Sequence, residues 1–169
     1  SLARCTWPMD ALANGVRVLG IRDTELPLVQ FELRMKGGLL LEDPERVGVA
    51  NLLAETMTEG TASRSPAELE AAIDLLGANI AVSSGRESVT IRGSTLARNY
   101  AETMALVEEI LLEPRFDSAQ FDLARQRVAN TLRQQSASPG AVGSQVFREL
   151  LYGDHVLGRN PLGTPEILE

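Results

Sequence analysis

Hydrophobic residues recur at two spacings along this chain, and the switch between them divides it into elements. Val29, Phe31, Leu33 and Met35 alternate with Gln30, Glu32 and Arg34, which predicts a half-buried strand from Leu28 to Met35. Earlier, Val16, Val18 and Gly20 share one side and Arg17, Leu19 and Ile21 the other, a strand expected to have both faces partly covered. Residues 1–14 read as a lead-in, with Trp7-Pro8 extended and Asn14-Gly15 a turn. Lys36-Gly37-Gly38 breaks the second strand, and beyond Asp43-Pro44-Glu45 the spacing becomes helical. Val47, Ala50, Leu53, Ala54 and Met57 then predict one amphipathic helix over 48–60, closed by Gly60.

Ser65-Pro66-Ala67-Glu68 is a capping box with Pro at the first helical position. Its helix has Leu69, Ala72, Ile73 and Leu76 on one side, and Gly77 fits the left-handed residue that ends it. Ile80 and Val82, then Val89 and Ile91, alternate on either side of Gly85-Arg86 and predict a hairpin. Three helices follow. One runs from about Leu96 with Tyr100, Met104, Val107 and Leu111 inward, stopped before Pro114. The next opens at Asp117-Ser118-Ala119-Gln120, a second capping box, with Phe121, Ala124, Val128 and Leu132 on one side. The last starts at Ser138-Pro139, with Val142, Val146 and Leu150 inside and Gly153 after it. Strand pair, helices, strand pair, helices is an α+β order: a mainly antiparallel sheet with helices packed on one face.

Composition narrows the function classes. The 169 residues amount to one domain, and 44% hydrophobic against 23% charged residues can build a core. Sixteen basic and 23 acidic residues leave a net charge of −7. That balance argues against nucleic acid or anionic lipid as partners, which both need clustered Lys and Arg. No apolar run approaches the roughly 20 residues of a membrane span. Cys5 is the single cysteine, which excludes an internal disulfide. The chain opens without Met and shows no signal peptide, so its native beginning stays open.

The stretch Gly48-Val49-Ala50-Asn51-Leu52-Leu53-Ala54-Glu55-Thr56-Met57-Thr58-Glu59-Gly60-Thr61 strongly resembles the metal-binding helix of the insulinase/pitrilysin family. These inverted-zincin metallopeptidases include the mitochondrial processing peptidases. In active members the helix carries H-x-x-E-H, whose two His hold zinc while the Glu is the general base. The resemblance puts Asn51 at the first His, Ala54 at the Glu and Glu55 at the second His. The third ligand, a Glu on a later helix, falls at Asn130-Thr131. Other landmarks follow in order: Leu12-Ala13-Asn14-Gly15-Val16-Arg17-Val18, Gly37-Gly38, Leu76-Gly77-Ala78, Pro114-Arg115-Phe116-Asp117, Tyr152-Gly153-Asp154-His155 and Gly163-Thr164-Pro165-Glu166. A family domain continues with a helix and further strands where this chain stops at Glu169, so 1–169 reads as a single incomplete domain.

What the resemblance implies is a processing-peptidase-like fold and a non-catalytic domain or subunit, inactive alone. It would complete a peptide chamber for a partner that carries H-x-x-E-H. No cofactor is expected in this chain and zinc is expected in the partner. Glu25-Leu26-Pro27 and Gly37-Gly38-Leu39-Leu40-Leu41 are most similar to the second half of the long bacterial form, which suggests a periplasmic or envelope location. A scaffold subunit like the core proteins of the respiratory cytochrome bc complex and a stand-alone peptide-binding module or chaperone are the alternatives.

By the same resemblance, Asn79, Ile80, Ala81, Val82, Ser83 and Ser84 correspond to the edge strand that takes extended peptide in active relatives, where main-chain hydrogen bonds give affinity without sequence specificity. Other candidates fall short. Glu55 with His155 is too small a ligand set for a metal, and His155 reads as a surface or capping residue. Cys5 has no basic partner to lower its pKa. Ser83-Ser84 and Ser136-Ala137-Ser138 lack a visible base, and the latter pair reads as a helix cap. Arg125, Arg127 and Arg133 read as the wet face of one helix.

Overall fold

In a computed structural model, residues 9–23 and 25–165 are described. The expectations placed on Cys5, Trp7-Pro8 and Glu166 lie outside these residues.

Strands β3 (Leu28–Lys36), β4 (Asn79–Ser84) and β5 (Ser88–Leu96) form an antiparallel sheet of order β3-β5-β4. Its register places Phe31 opposite Gly93 and Leu33 opposite Ile91, with Ile80 and Val82 on the far side of the same pairs. Those residues share one face, because side chains alternate along a strand. Helices cover that face. Met57 of α1 (Val49–Met57), Leu69 of α2 (Pro66–Leu75), and Leu106 and Ile110 of α3 (Tyr100–Leu112) cluster with Ile80 and Val82. Leu69, Ile91 and Ile110 are at most 1% exposed, and each such burial is worth about 1.5–3 kcal/mol. The other face carries Glu32, Arg34 and Arg92 in water. There Arg92 first, and Arg34 next, hold the Glu32 carboxyl below the usual range by hydrogen bonding.

A second cluster ties α1 to α4 (Ser118–Ser136): Leu52 packs on Ala124, Val128 and Leu132. Helix α5 (Pro139–Tyr152) follows. The capping box at the start of α2 forms, with the Ser65 hydroxyl accepting from the Glu68 N–H and the Glu68 carboxylate accepting from the Ser65 N–H.

Several expectations need correction. Met9–Ala11 is not lead-in but strand β1, antiparallel to β2 (Arg17–Leu19) around the Asn14-Gly15 turn. The strand at Val16–Ile21 has neither face covered: Val16, Val18, Leu19 and Ile21 are all exposed, and β2 pairs with β1 rather than with β3. In α1 it is Leu52, not Leu53, that is buried with Ala54 and Met57. Helix α3 begins at Tyr100, after a 3-10 turn over Ala97–Asn99, and Tyr100 is exposed. Its inward residues are Thr103, Leu106, Val107 and Ile110. Asp117 caps α4 through the Ala119 N–H at 2.9 Å, one residue short of a capping box, and Phe121 is exposed. Ser138 stands at the N-cap of α5 without a side-chain capping bond. Val142, Val146 and Leu150 are 43%, 47% and 82% exposed, so the inside face expected of α5 is bare among the described residues.

One polar cluster joins the loop after α1 to α3. Glu109 accepts hydrogen bonds from Ser63 at 3.0 Å, from Thr61 at 3.3 Å and from the Arg64 guanidinium. Arg64, the largest influence, holds the Glu109 carboxyl below its ordinary value of 4.5. A carboxyl whose folded pKa is depressed contributes stability above its unfolded pKa, and that contribution is lost as pH falls through the folded value. Glu109→Gln is therefore expected to cost about 1–2 kcal/mol near neutrality. The gap from the parent chain should close in acid below the unfolded glutamate pKa. Urea unfolding at neutral and acidic pH checks this, and a gap that does not change with pH would contradict it.

Candidate functional site

Asn51, Ala54, Glu55, Thr131 and residues 79–84 lie on elements that meet, since α1 runs beside β4 and leans on α4. The start of α1 is fixed by a residue that sequence reasoning missed. Glu42 reaches forward so that its carboxylate accepts from the Gly48 N–H at 3.0 Å and from the Ala50 N–H. A carboxylate here satisfies orphan helix donors and meets the positive end of the helix dipole. The signal was faint, since Glu42 stands six and eight residues before the groups it caps, far outside an ordinary capping motif.

One turn into α1, the Asn51 carboxamide Nδ2 donates to Glu55 Oε1 at 3.2 Å. Glu55 Oε2 faces Arg127 Nε of α4 at 3.9 Å, and Arg127 Nη2 donates to Glu59 Oε1 at 2.8 Å. Glu55 is thus salt-bridged, and Arg127 is more than a solvated residue: it spans the two helices. Ala54 is buried and offers a methyl group. Thr131 is exposed and turns its hydroxyl to the Arg127 carbonyl of its own helix at 3.0 Å. Asn130 accepts from Arg133 at 2.7 Å. His155 caps a 3-10 turn, its Nδ1 accepting from the Leu157 N–H at 3.2 Å.

This donor set does not fit zinc, which takes three or four His, Cys or carboxylate ligands about one bond length away. A carboxamide, a methyl, a threonine bonded to its own helix and one carboxylate paired with an arginine supply nothing comparable. Among the described residues, no three or more His, Cys, Asp and Glu are grouped where they could hold a metal ion.

Strand β4 lies at the end of the sheet, so one of its edges has no neighbour among the described strands. The register says which groups face it. Gly85 N–H donates to Ser88 O at 2.8 Å, and antiparallel pairs alternate, so Ser83, Ala81 and Asn79 exchange bonds with β5. The N–H and C=O groups of Ile80, Val82 and Ser84 point to the open edge. Of the six residues 79–84, three thus face β5 and three face outward, on a strand alongside α1. An apolar groove of about 890 Å³ runs along another side of α1, bounded by Met35, Leu41, Val49, Leu53, Leu111 and Phe116; it does not include Asn51 or Glu55.

An antiparallel sheet with helices on one face, and a helix set beside its edge strand, make up the frame of this domain. The fold matches the crystal structure of a peptidase M16 inactive domain from Pseudomonas fluorescens with a TM-score of 0.91 at 21% identity, over 96% of this chain and 40% of that one. Among curated proteins, the chain is 22% identical to an uncharacterized zinc protease of Rickettsia bellii, over 94% of its own length and 38% of the relative. It is 23% identical to mitochondrial-processing peptidase subunit alpha-1 of Dictyostelium discoideum, over 94% of its length and 24% of that protein. Residues 17–164 match the family model described as insulinase (peptidase family M16), and the chain belongs to that family. It spans two fifths or less of each of these relatives.

Proposed function

We propose that this domain is a non-catalytic wall of an insulinase-family peptide chamber, presenting β4 as an edge to extended peptide while a partner domain with H-x-x-E-H performs the hydrolysis. Zinc then belongs to the partner. The observation that carries this reading is the edge of β4, unpaired among the described residues, beside a helix that holds Asn51, Ala54 and Glu55 where the family resemblance puts H-x-x-E-H. Ala54 has no group to take a proton, which supports the reading that this position supplies no base for hydrolysis. Peptide affinity would come from main-chain pairing with Ile80, Val82 and Ser84, which tolerates any sequence.

Proline scanning of β4 tests it, because proline survives in a strand only where its missing N–H faces outward. Ser84→Pro removes an edge donor and no ladder bond, whereas Ser83→Pro removes a bond to β5. The parent chain is expected to retain an unstructured peptide and release it uncut, with or without added zinc. Ser84→Pro should lower that affinity at least about tenfold while keeping most of the thermal midpoint, and Ser83→Pro should lose the midpoint itself. Equal peptide binding by Ser84→Pro, or cleavage by the purified chain, would overturn the reading.

A further inference from the structure

We infer that Arg127 does mechanical work that a metal would do in such a frame, linking α1 to α4 by a half-exposed guanidinium of the chain's own. The inference rests on the reading that α1 is an emptied metal-binding frame, and it concerns what holds that frame together. In the active members that α1 resembles, one positive ion would link ligands on this helix to a ligand on the later one. Here two carboxylates stand at the end of α1, Glu55 in its last turn and Glu59 two residues past it, with Asn51 oriented onto the first at 3.2 Å. From α4 a single guanidinium meets both, at 3.9 Å to Glu55 and 2.8 Å to Glu59. Thr131, the position of the third ligand, hydrogen-bonds back to the Arg127 carbonyl one turn away.

Glu55 stands in the last turn of α1 and Glu59 just beyond it, where carboxylates meet the negative end of the helix dipole, so both gain from a shared counter-ion. The Leu52 contact with Ala124, Val128 and Leu132 holds the helices in register but leaves this charge unanswered. A planar guanidinium, with several donors in a fork, can serve two carboxylates at once where an ammonium would act as a point. The link differs from a metal in kind: salt weakens it and chelators do not touch it.

Thermal unfolding of the full chain and of Arg127→Ala, Glu59→Ala, the double variant and Arg133→Ala tests this. Arg133 is the control, since its recorded bond runs to Asn130 on its own helix. Arg127→Ala and Glu59→Ala are each expected to lower the midpoint by about 2–4 °C at low salt, with the double variant no lower than either. The difference should vanish near 1 M salt, and a chelator should leave the parent unchanged. Additive losses, a loss equal to that of Arg133→Ala, or a chelator-sensitive midpoint would overturn it. Peptide capture by β4 is read separately, so either idea can fail without the other.

Discussion

Gly93→Ala is expected to lower the unfolding free energy by about 3–5 kcal/mol, and Gly93→Val to leave no folded chain. Gly93 sits in the central strand of the sheet, between Phe31 on β3 and Ile80 on β4. A Cβ placed there would stand 2.4 Å from Phe31 Cζ and 2.5 Å from the Asn79 carbonyl oxygen. The glycine exists so that the Phe31 ring can lie across β5, filling the space a side chain would take. The two contacts differ in how they yield. A ring can rotate or be trimmed, but the Asn79 carbonyl belongs to the strand and cannot move without breaking the ladder. Phe31→Ala in the Gly93→Ala background should therefore recover part of the loss and never all of it. Urea unfolding with an unchanged slope would establish that stability alone has altered. Full recovery in the double variant would show the ring to be the whole obstacle and the backbone argument to be wrong.

The same sheet shows what could be read from the residues and what could not. The period-two pattern of Val29 to Met35, the Gly85-Arg86 hairpin and the Ser65 capping box were legible because each is local. They depend on groups a few residues apart. The inward faces of α1 and α3 were misread for one shared reason. Each turns a threonine to the core: Thr56 donates to the Leu52 carbonyl at 2.8 Å, and Thr103 meets Thr95 and the Asn99 carbonyl, both at 2.8 Å. A threonine that spends its hydroxyl on its own helix buries like a valine, yet a count of apolar positions passes over it. The phase of the helix then appears rotated by a residue. Helix α5 was misread differently, since its pattern is amphipathic and only its surroundings decide whether that face is covered.

The candidate site divides along the same line. Asn51, Ala54, Glu55 and residues 79–84 could be singled out because a family pattern runs along the chain. Glu42 and Arg127 could not, because their roles depend on partners six to 72 residues away in sequence. Charge that crosses between elements leaves no periodic trace.

Gly163→Ala is expected to cost about 2–4 kcal/mol and to loosen the first turn of α1, which lies far from it in sequence. Gly163 has φ +84, and an added Cβ would stand 2.4 Å from the Val47 carbonyl oxygen. Its counterpart Gly48, at φ +111, would carry a Cβ 2.9 Å from the Leu162 carbonyl oxygen. Two backbones thus pass each other with no room for a side chain on either, and one of them is the N-cap of α1. Either substitution pushes residues 47–48 away from residues 162–163, pulling the Gly48 and Ala50 N–H groups off the Glu42 carboxylate. Because the two glycines share one contact, the double variant should lose less than the two single losses combined. Amide exchange would read the displacement directly, as faster exchange at Gly48, Val49, Ala50 and Asn51 with β4 and β5 unchanged. That contrast bears on function. If peptide is held by the β4 edge alone, Gly163→Ala binds it as the parent does; if α1 forms the second wall of the groove, affinity falls while the sheet stays intact.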